Sequence, residues 1–149
     1  MNLTDHFTVE ELTFTQHRQF DNTPPPEMMP TLLRTAQGLE RIRALLGQPI
    51  HVNSGYRSPE VNAAVGGSTS SQHMKGEAAD IICPGYGTPL VVAERLVGQI
   101  NNLGIDQIIL EFGAWVHVSF TERPRHAILT IDRNGARFGI AATATSARA

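Results

Sequence analysis

The chain has 149 residues, 41% of them hydrophobic and 17% charged, which is ordinary for one soluble domain with a core of its own. A formal charge of −2, a pI near 6.3 and the lack of any lysine or arginine run exclude a broad basic nucleic-acid surface. No apolar run approaches the roughly eighteen residues of a membrane span, and the single Cys83 excludes an intramolecular disulfide.

Thr8-Val9-Glu10-Glu11-Leu12 carries a capping box, with Thr8 at the N-cap and Glu11 at the third helical position, so a short helix begins there. Asp21 to Pro26 is a rigid connection that three prolines keep from being helical. Leu32, Leu33, Ala36, Leu39, Ile42, Leu45 and Leu46 then recur at helical spacing from about Glu27 to Leu46, and Gly47 stops the run. That helix is expected to back a sheet. Ile50 to Asn53 reads as a short strand, and Pro59 to Val65 as a helix capped by Ser58 and ended by Gly66-Gly67. Ser68 to Gln72 is a polar loop, and Ala78 to Ile82 a buried strand. Thr88 to Asn102 holds Leu90, Val91, Ala93, Leu96, Val97 and Ile100 at helical spacing, a second amphipathic helix capped by Thr88. Ile105 to Phe112 and Trp115 to Phe120 are strands, with Gly113-Ala114 as a tight turn between them. Ala127 to Ile140 forms a terminal hairpin around Asp132-Arg133-Asn134-Gly135, and residues 141–149 are small and expected to fray. The pattern predicts a single α+β domain, a small antiparallel sheet backed by helices. Its core spans about residues 27–122, with a hairpin at 125–140.

The chemistry lies in two segments. His73 and Asp80 stand seven positions apart in Ser71-Gln72-His73-Met74-Lys75-Gly76-Glu77-Ala78-Ala79-Asp80, with Gly76 free to turn the backbone sharply. His117 lies in Trp115-Val116-His117-Val118-Ser119-Phe120, where alternation puts Trp115, His117 and Ser119 on one face. Two imidazoles and one carboxylate are the ligands that leave a tetrahedral zinc ion one open position, where bound water becomes a nucleophile near neutral pH. Metal-assisted hydrolysis is the expected chemistry, with one Zn2+ per chain.

Ser71-x-His73-x-x-Gly76-x-Ala78-x-Asp80, preceded by Ser54-Gly55-Tyr56-Arg57-Ser58 and followed by Trp115-x-His117, resembles the zinc D-Ala-D-Ala carboxypeptidase group. That group includes phage endolysin peptidases and is related to the hedgehog signalling domain. The resemblance runs from about Pro49 to Phe120. It implies that His73, Asp80 and His117 hold zinc, that Arg57 binds a carboxylate or carbonyl of the substrate, and that the substrate is a peptidoglycan stem or cross-bridge peptide. Arginine's planar fork suits that task, although a local ion pair with Glu60 is the duller reading of Arg57. Many members place an acid three positions before the last histidine ligand; here that position is Ala114. Glu111 is the nearest acid upstream, and a hairpin would swing it beside the His117 strand to carry the proton. Asp106 and Glu77 compete for that role. Ser71 and Trp115 are expected to line the substrate cleft, with core packing open for Trp115 and favoured for Tyr56. His6, His17, His51 and His126 lack ligand spacing and are expected on surfaces or loops, and Cys83 as a buried small hydrophobe.

Met1 to Phe7 lacks the flanks of a signal peptide, so synthesis in the cytoplasm and action on the wall after release or phage-associated delivery are expected. With no coiled-coil heptad or apolar stripe, a monomer is expected. Two other readings stay open: a zinc-stabilised wall-binding or structural module without catalysis, and an intracellular hydrolase of free D-Ala-D-Ala.

Overall fold

Strand residues that alternate apolar with polar or small build the centre of the molecule, and the computed structural model describes it for residues 1–142. The elements are α1 (Val9–Leu12), α2 (Met29–Leu46), β1 (His51–Ser54), α3 (Pro59–Ala64), β2 (Ala78–Ile82), α4 (Pro89–Val97), α5 (Ile100–Leu103), β3 (Gln107–Glu111), β4 (Trp115–Ser119), β5 (Ala127–Asp132) and β6 (Gly135–Phe138). Single 3-10 turns at Pro26–Met28 and Gln72–Lys75 precede α2 and β2. Among the described residues no helix is long and apolar enough to cross a membrane.

The α+β architecture holds, with one six-stranded sheet in the order β1-β2-β4-β3-β5-β6. It departs from the expected all-antiparallel sheet at one seam, where β3 and β5 are parallel. The cause is topological. β4 already has β2 on one side and β3 on the other, so the chain leaving it must add its next strand at an outer edge, and it does so beyond β3. A returning strand runs opposite to β4 and therefore alongside β3.

The helical periodicity of α2 buries Leu32, Ala36, Leu39, Ile42 and Leu46, and Gly47 ends it in the left-handed conformation at φ of 66°. Those side chains share one cluster with Ala79, Ile81, Ile108, Leu110, Val116, Val118 and Phe120, the residues from one face of β2, β3 and β4 and the end of β4. α4 covers the same side, burying Val92, Ala93 and Leu96. The helix expected over Thr88 to Asn102 is broken at Gly98-Gln99, where Gln99 leaves helical geometry at φ −127° and ψ 21°. Glycine is the weakest ordinary helix former, yet Ile100 still packs on the core, so the apolar spacing runs through the break unaltered.

Three smaller expectations are adjusted. The β3–β4 turn has three residues, because Phe112 and Gly113 both take positive φ, 57° and 64°, and Glu111 pairs with Trp115. The terminal hairpin turns at Asp132-Arg133-Asn134-Gly135 as expected, with Asp132 paired to Gly135, but its last strand ends at Phe138 and not at Ile140. The expected fraying of 141–149 lies mostly outside the described residues; within them, Ala141 N–H donates to Thr130 Oγ1 at 3.1 Å.

Candidate metal centre

The sheet face opposite the helices carries the polar residues. Asp80 pairs directly with His117 across the β2–β4 ladder, and Ile109 pairs with His117 across β3–β4, which leaves Glu111 two residues along on the same face. His73 arrives from outside the sheet on the 3-10 turn Gln72–Lys75. Ser71 caps that turn by accepting from His73 N–H at 3.1 Å, and Gly76 closes it at φ of 74°. The Gly76 carbonyl accepts from Thr35 Oγ1 of α2 at 2.7 Å, which fastens the turn to the long helix.

A second loop fixes the His73 ring. Gly55 carbonyl lies 2.7 Å from His73 Nδ1 and can only accept, so Nδ1 carries the hydrogen and the Nε2 lone pair faces the site. A Cβ at Gly55 would run into the Leu12 carbonyl, so glycine permits the close approach of this loop to α1. Arg57 N–H then donates to His73 carbonyl at 3.0 Å, joining the two loops.

His73 Nε2 and His117 Nδ1 each lie 3.2 Å from Asp80 Oδ1. All three residues are buried, and their ligand atoms fall within 4.8 Å of one another. Two acceptors facing each other, as His73 Nε2 and Asp80 Oδ1 do, call for a shared cation. A four-coordinate ion with bonds of about 2.0–2.1 Å spaces its ligands by roughly 3.3 Å, close to the two observed separations. The donor set therefore fits zinc. Burial pushes the Asp80 carboxyl up, but it is outweighed where His117 and His73 are protonated, when their hydrogen bonds and charges hold it well below the usual carboxylate range; a bound cation would supply that charge in their place. The deprotonated form that a metal needs is thus the stable one.

Around this triad the other candidates take distinct places. Arg57 donates through Nη2 to Asp80 Oδ2 at 3.3 Å, through Nε to Ser54 Oγ at 3.2 Å and through Nη1 to Asn62 Oδ1 at 3.4 Å, so its partner is Asp80 and not Glu60. Glu111 Oε1 stands 3.7 Å from His117 Nδ1 with its side chain 21% exposed. Burial raises the Glu111 carboxyl above its ordinary value and the Asp80 charge adds to this; His117, Arg57 and the Trp115 indole offset it in part. That indole N–H is buried and completes no hydrogen bond among the described residues, so it acts on Glu111 as a nearby dipole.

Asp106 and Glu77, the rival acids, are engaged elsewhere. Asp106 accepts from Arg125, Ser119 and Gln72, and Glu77 accepts from Gln72 Nε2 at 3.3 Å and faces Arg34 at 3.6 Å. Tyr56 and Cys83 belong to the core. His6 pairs with Glu40 on the surface at 2.8 Å, and His51 and His126 are exposed.

Two clefts meet at the triad. The larger, about 900 Å³, is bordered by His117 and lined by Ser71, Gln72, Arg34 and Arg125. The smaller, about 280 Å³, is bordered by Asp80 and Arg57 and lined by Trp115, Phe14 and His17. Ser71 and Trp115 thus line clefts as expected, on different sides of the centre. Phe14 and His17 were not legible as cleft residues, because the segment holding them has no periodicity or motif. Arg34 and Arg125 were missed for a different reason: their partners are distant in the chain.

The zinc D-Ala-D-Ala carboxypeptidase of Streptomyces albus G is 46% identical over 74 residues, a stretch that makes up 48% of this chain and 29% of that protein. The chain thus aligns with less than a third of that relative's length. The family model for peptidase M15 matches residues 5–119, a span that contains His73, Asp80, Glu111 and His117. On that match, the chain belongs to the peptidase M15 family.

Proposed function

We propose that this chain is a zinc-dependent peptidase of peptidoglycan peptides, with one ion held by His73 Nε2, Asp80 Oδ1 and His117 Nδ1. The observation that carries the reading is the half-buried Glu111 carboxylate, 3.7 Å from His117 Nδ1 and beside a triad that opens on clefts at two sides. A metal-stabilised module without chemistry has no need of an acid whose pKa is raised at this place. When bound, zinc supplies a Lewis acid for the scissile carbonyl and makes water acidic enough to attack near neutral pH.

The protein groups supply the rest. Glu111 takes the proton of the attacking water and returns it to the leaving amine nitrogen, a task suited to a carboxylate held above its ordinary pKa. Asp80 Oδ1 would hold the ion while Oδ2 accepts from Arg57, so Arg57 orients the carboxylate while its guanidinium edge borders the smaller cleft. There it anchors a substrate carboxylate or carbonyl.

The two clefts suggest a direction. The smaller cleft, about 280 Å³ and bordered by Arg57, suits a single terminal residue with its free carboxylate, and the larger one, about 900 Å³, the peptide that precedes it. This favours the D-Ala-D-Ala carboxypeptidase reading over scission of a cross-bridge in the manner of an endolysin.

Glu111→Gln tests the proposal. It is expected to lower kcat by about 10²–10⁴-fold on wall peptides while zinc stays at one ion per chain by elemental analysis. Mass spectrometry of the digested muropeptides separates loss of a terminal D-Ala from opening of a cross-bridge. A wild-type protein that is loaded with zinc yet inert on dipeptide, muropeptides and whole sacculi overturns the enzyme reading in favour of a binding module.

A further inference from the structure

We propose that Arg125 is a positioning residue for the metal centre, acting through the buried Asp106 carboxylate on the two segments that carry His73 and His117. The inference rests on reading His73, Asp80 and His117 as a metal site. Arg125 lies beyond residue 119, where the family match ends, so it belongs to the connection into β5 that the match does not include.

Asp106 is wholly buried at the start of β3, with 0% of its surface exposed. Arg125 meets it as a fork, with Nε 3.0 Å from Oδ1 and Nη2 2.7 Å from Oδ2, and adds its backbone N–H to Oδ1 at 2.8 Å. This is the bidentate geometry in which arginine neutralises a buried carboxylate best. Burial pushes the carboxyl up, but the Arg125 contacts, with Gln72 and Ser119, hold it well below the usual carboxylate range.

The remaining acceptor capacity of Asp106 goes to the neighbours of the metal ligands. Gln72 Nε2 donates to Oδ2 at 3.1 Å, and Gln72 is adjacent to His73 in the turn Gln72–Lys75. Ser119 Oγ donates to Oδ2 at 3.0 Å, and Ser119 stands two residues from His117 on the same face of β4. Arg125 Nη2 also reaches Gln72 Oε1 at 3.4 Å, closing the ring. One carboxylate therefore ties a segment outside the sheet to a strand inside it. Those two segments must hold a fixed spacing for His73 and His117 to share an ion. Without Arg125 the buried charge is left uncompensated, and the cheapest relief is protonation or solvent entry, either of which loosens Gln72.

The arginine is 57% exposed, so its removal opens no cavity in the core. Zinc dissociation constants are measured by competition with a chromogenic chelator for the wild type, Arg125→Met, Gln72→Ala and the double variant, alongside the visible spectra of the cobalt(II)-loaded proteins. Each single change is expected to weaken zinc binding by roughly 10–100-fold, the range found for residues that orient metal ligands. The cobalt bands shift in both variants, Arg125→Lys recovers part of the affinity, and the double variant loses no more than the weaker single one. Arg125→Lys keeps a cation beside Asp106 but not the two-point contact, so its partial loss of affinity decides the matter even where Arg125→Met does not fold. Dissociation constants within about twofold of wild type and unshifted cobalt bands overturn the proposal while leaving the metal centre standing. Losses that multiply in the double variant also overturn it, since they would mean independent effects. A wild type that takes up neither zinc nor cobalt removes the metal reading and this inference together.

Discussion

The two faces of β2, β3 and β4 use the same backbone for opposite ends. On one, Ala79, Ile81, Ile108, Leu110, Val116 and Val118 are buried with the residues of α2 and α4 in one apolar cluster. On the other, Asp80, Glu111, His117 and Ser119 bring titratable and polar groups together with little water. Apolar burial is non-directional and tolerant, whereas a site of this kind depends on separations of a few tenths of an ångström. The comparison teaches that rigidity is supplied from behind: the ligands hold their spacing because the strands beneath them are fixed by the helices.

Asp80 and Ile81 are neighbours on opposite faces, and changing each gives the sharpest separation. Asp80→Asn is expected to take zinc from one ion per chain to near none and to abolish peptidase activity, with the far-UV circular dichroism unchanged. Ile81→Ala is expected to cost about 2–5 kcal/mol of stability, or roughly 2–4 °C in Tm per kcal/mol, with one zinc retained by the folded protein. An Ile81→Ala protein that is folded but metal-free, or an Asp80→Asn protein that cannot fold, would break the division between the faces.

How far the sequence reveals each face follows from the range of the interactions that build it. Caps are local, so Thr8, Ser58 and Thr88 are legible as helix starts, and all three side chains accept the expected backbone N–H. The triad is legible because His73, Asp80 and His117 stand in segments that resemble those of the zinc D-Ala-D-Ala carboxypeptidase group, and two imidazoles with one carboxylate are a zinc donor set. The parallel β3–β5 seam is not, since no local residue pattern distinguishes a strand that joins β3 from one that joins β4. Nor is the role of Asp106, whose partners lie 19 and 34 positions away at Arg125 and Gln72. A signal was nevertheless present in Gly104-Ile105-Asp106-Gln107-Ile108-Ile109: an acid opening an apolar strand demands a cation from somewhere.

Acid titration probes the polar face at that point. The Asp106 pKa is depressed in the folded state, so its contribution to stability is full above the ordinary aspartate value of about 3.9 and is lost as pH falls through the folded value. In Arg125→Met the depression is smaller, because only the residue-125 backbone N–H, Gln72 and Ser119 remain to oppose burial, so the stability gap between wild type and variant is widest at neutral pH and narrows on acidification. Urea melts at neutral pH and near pH 3 check this. A gap of constant size would mean that Asp106 has the same proton affinity with and without the arginine.

The smallest effect is expected at the N-cap of α1. Thr8 Oγ1 accepts from Glu11 N–H at 3.0 Å while Glu11 Oε1 accepts from Thr8 N–H at 3.1 Å, and the flanking Phe7 and Leu12 are both buried, as in a hydrophobic staple. The Leu12 carbonyl then accepts from Tyr56 N–H at 2.7 Å, so this short helix holds the Gly55–Arg57 loop that orients the His73 ring. Thr8→Ala removes one cap bond and is expected to cost about 1 kcal/mol, visible as a small fall in Tm. The staple and the Leu12–Tyr56 bond survive, so zinc affinity is expected to stay within about twofold of wild type. A larger loss of affinity from Thr8→Ala would show that the site draws its spacing from α1 as well as from α2 and α4.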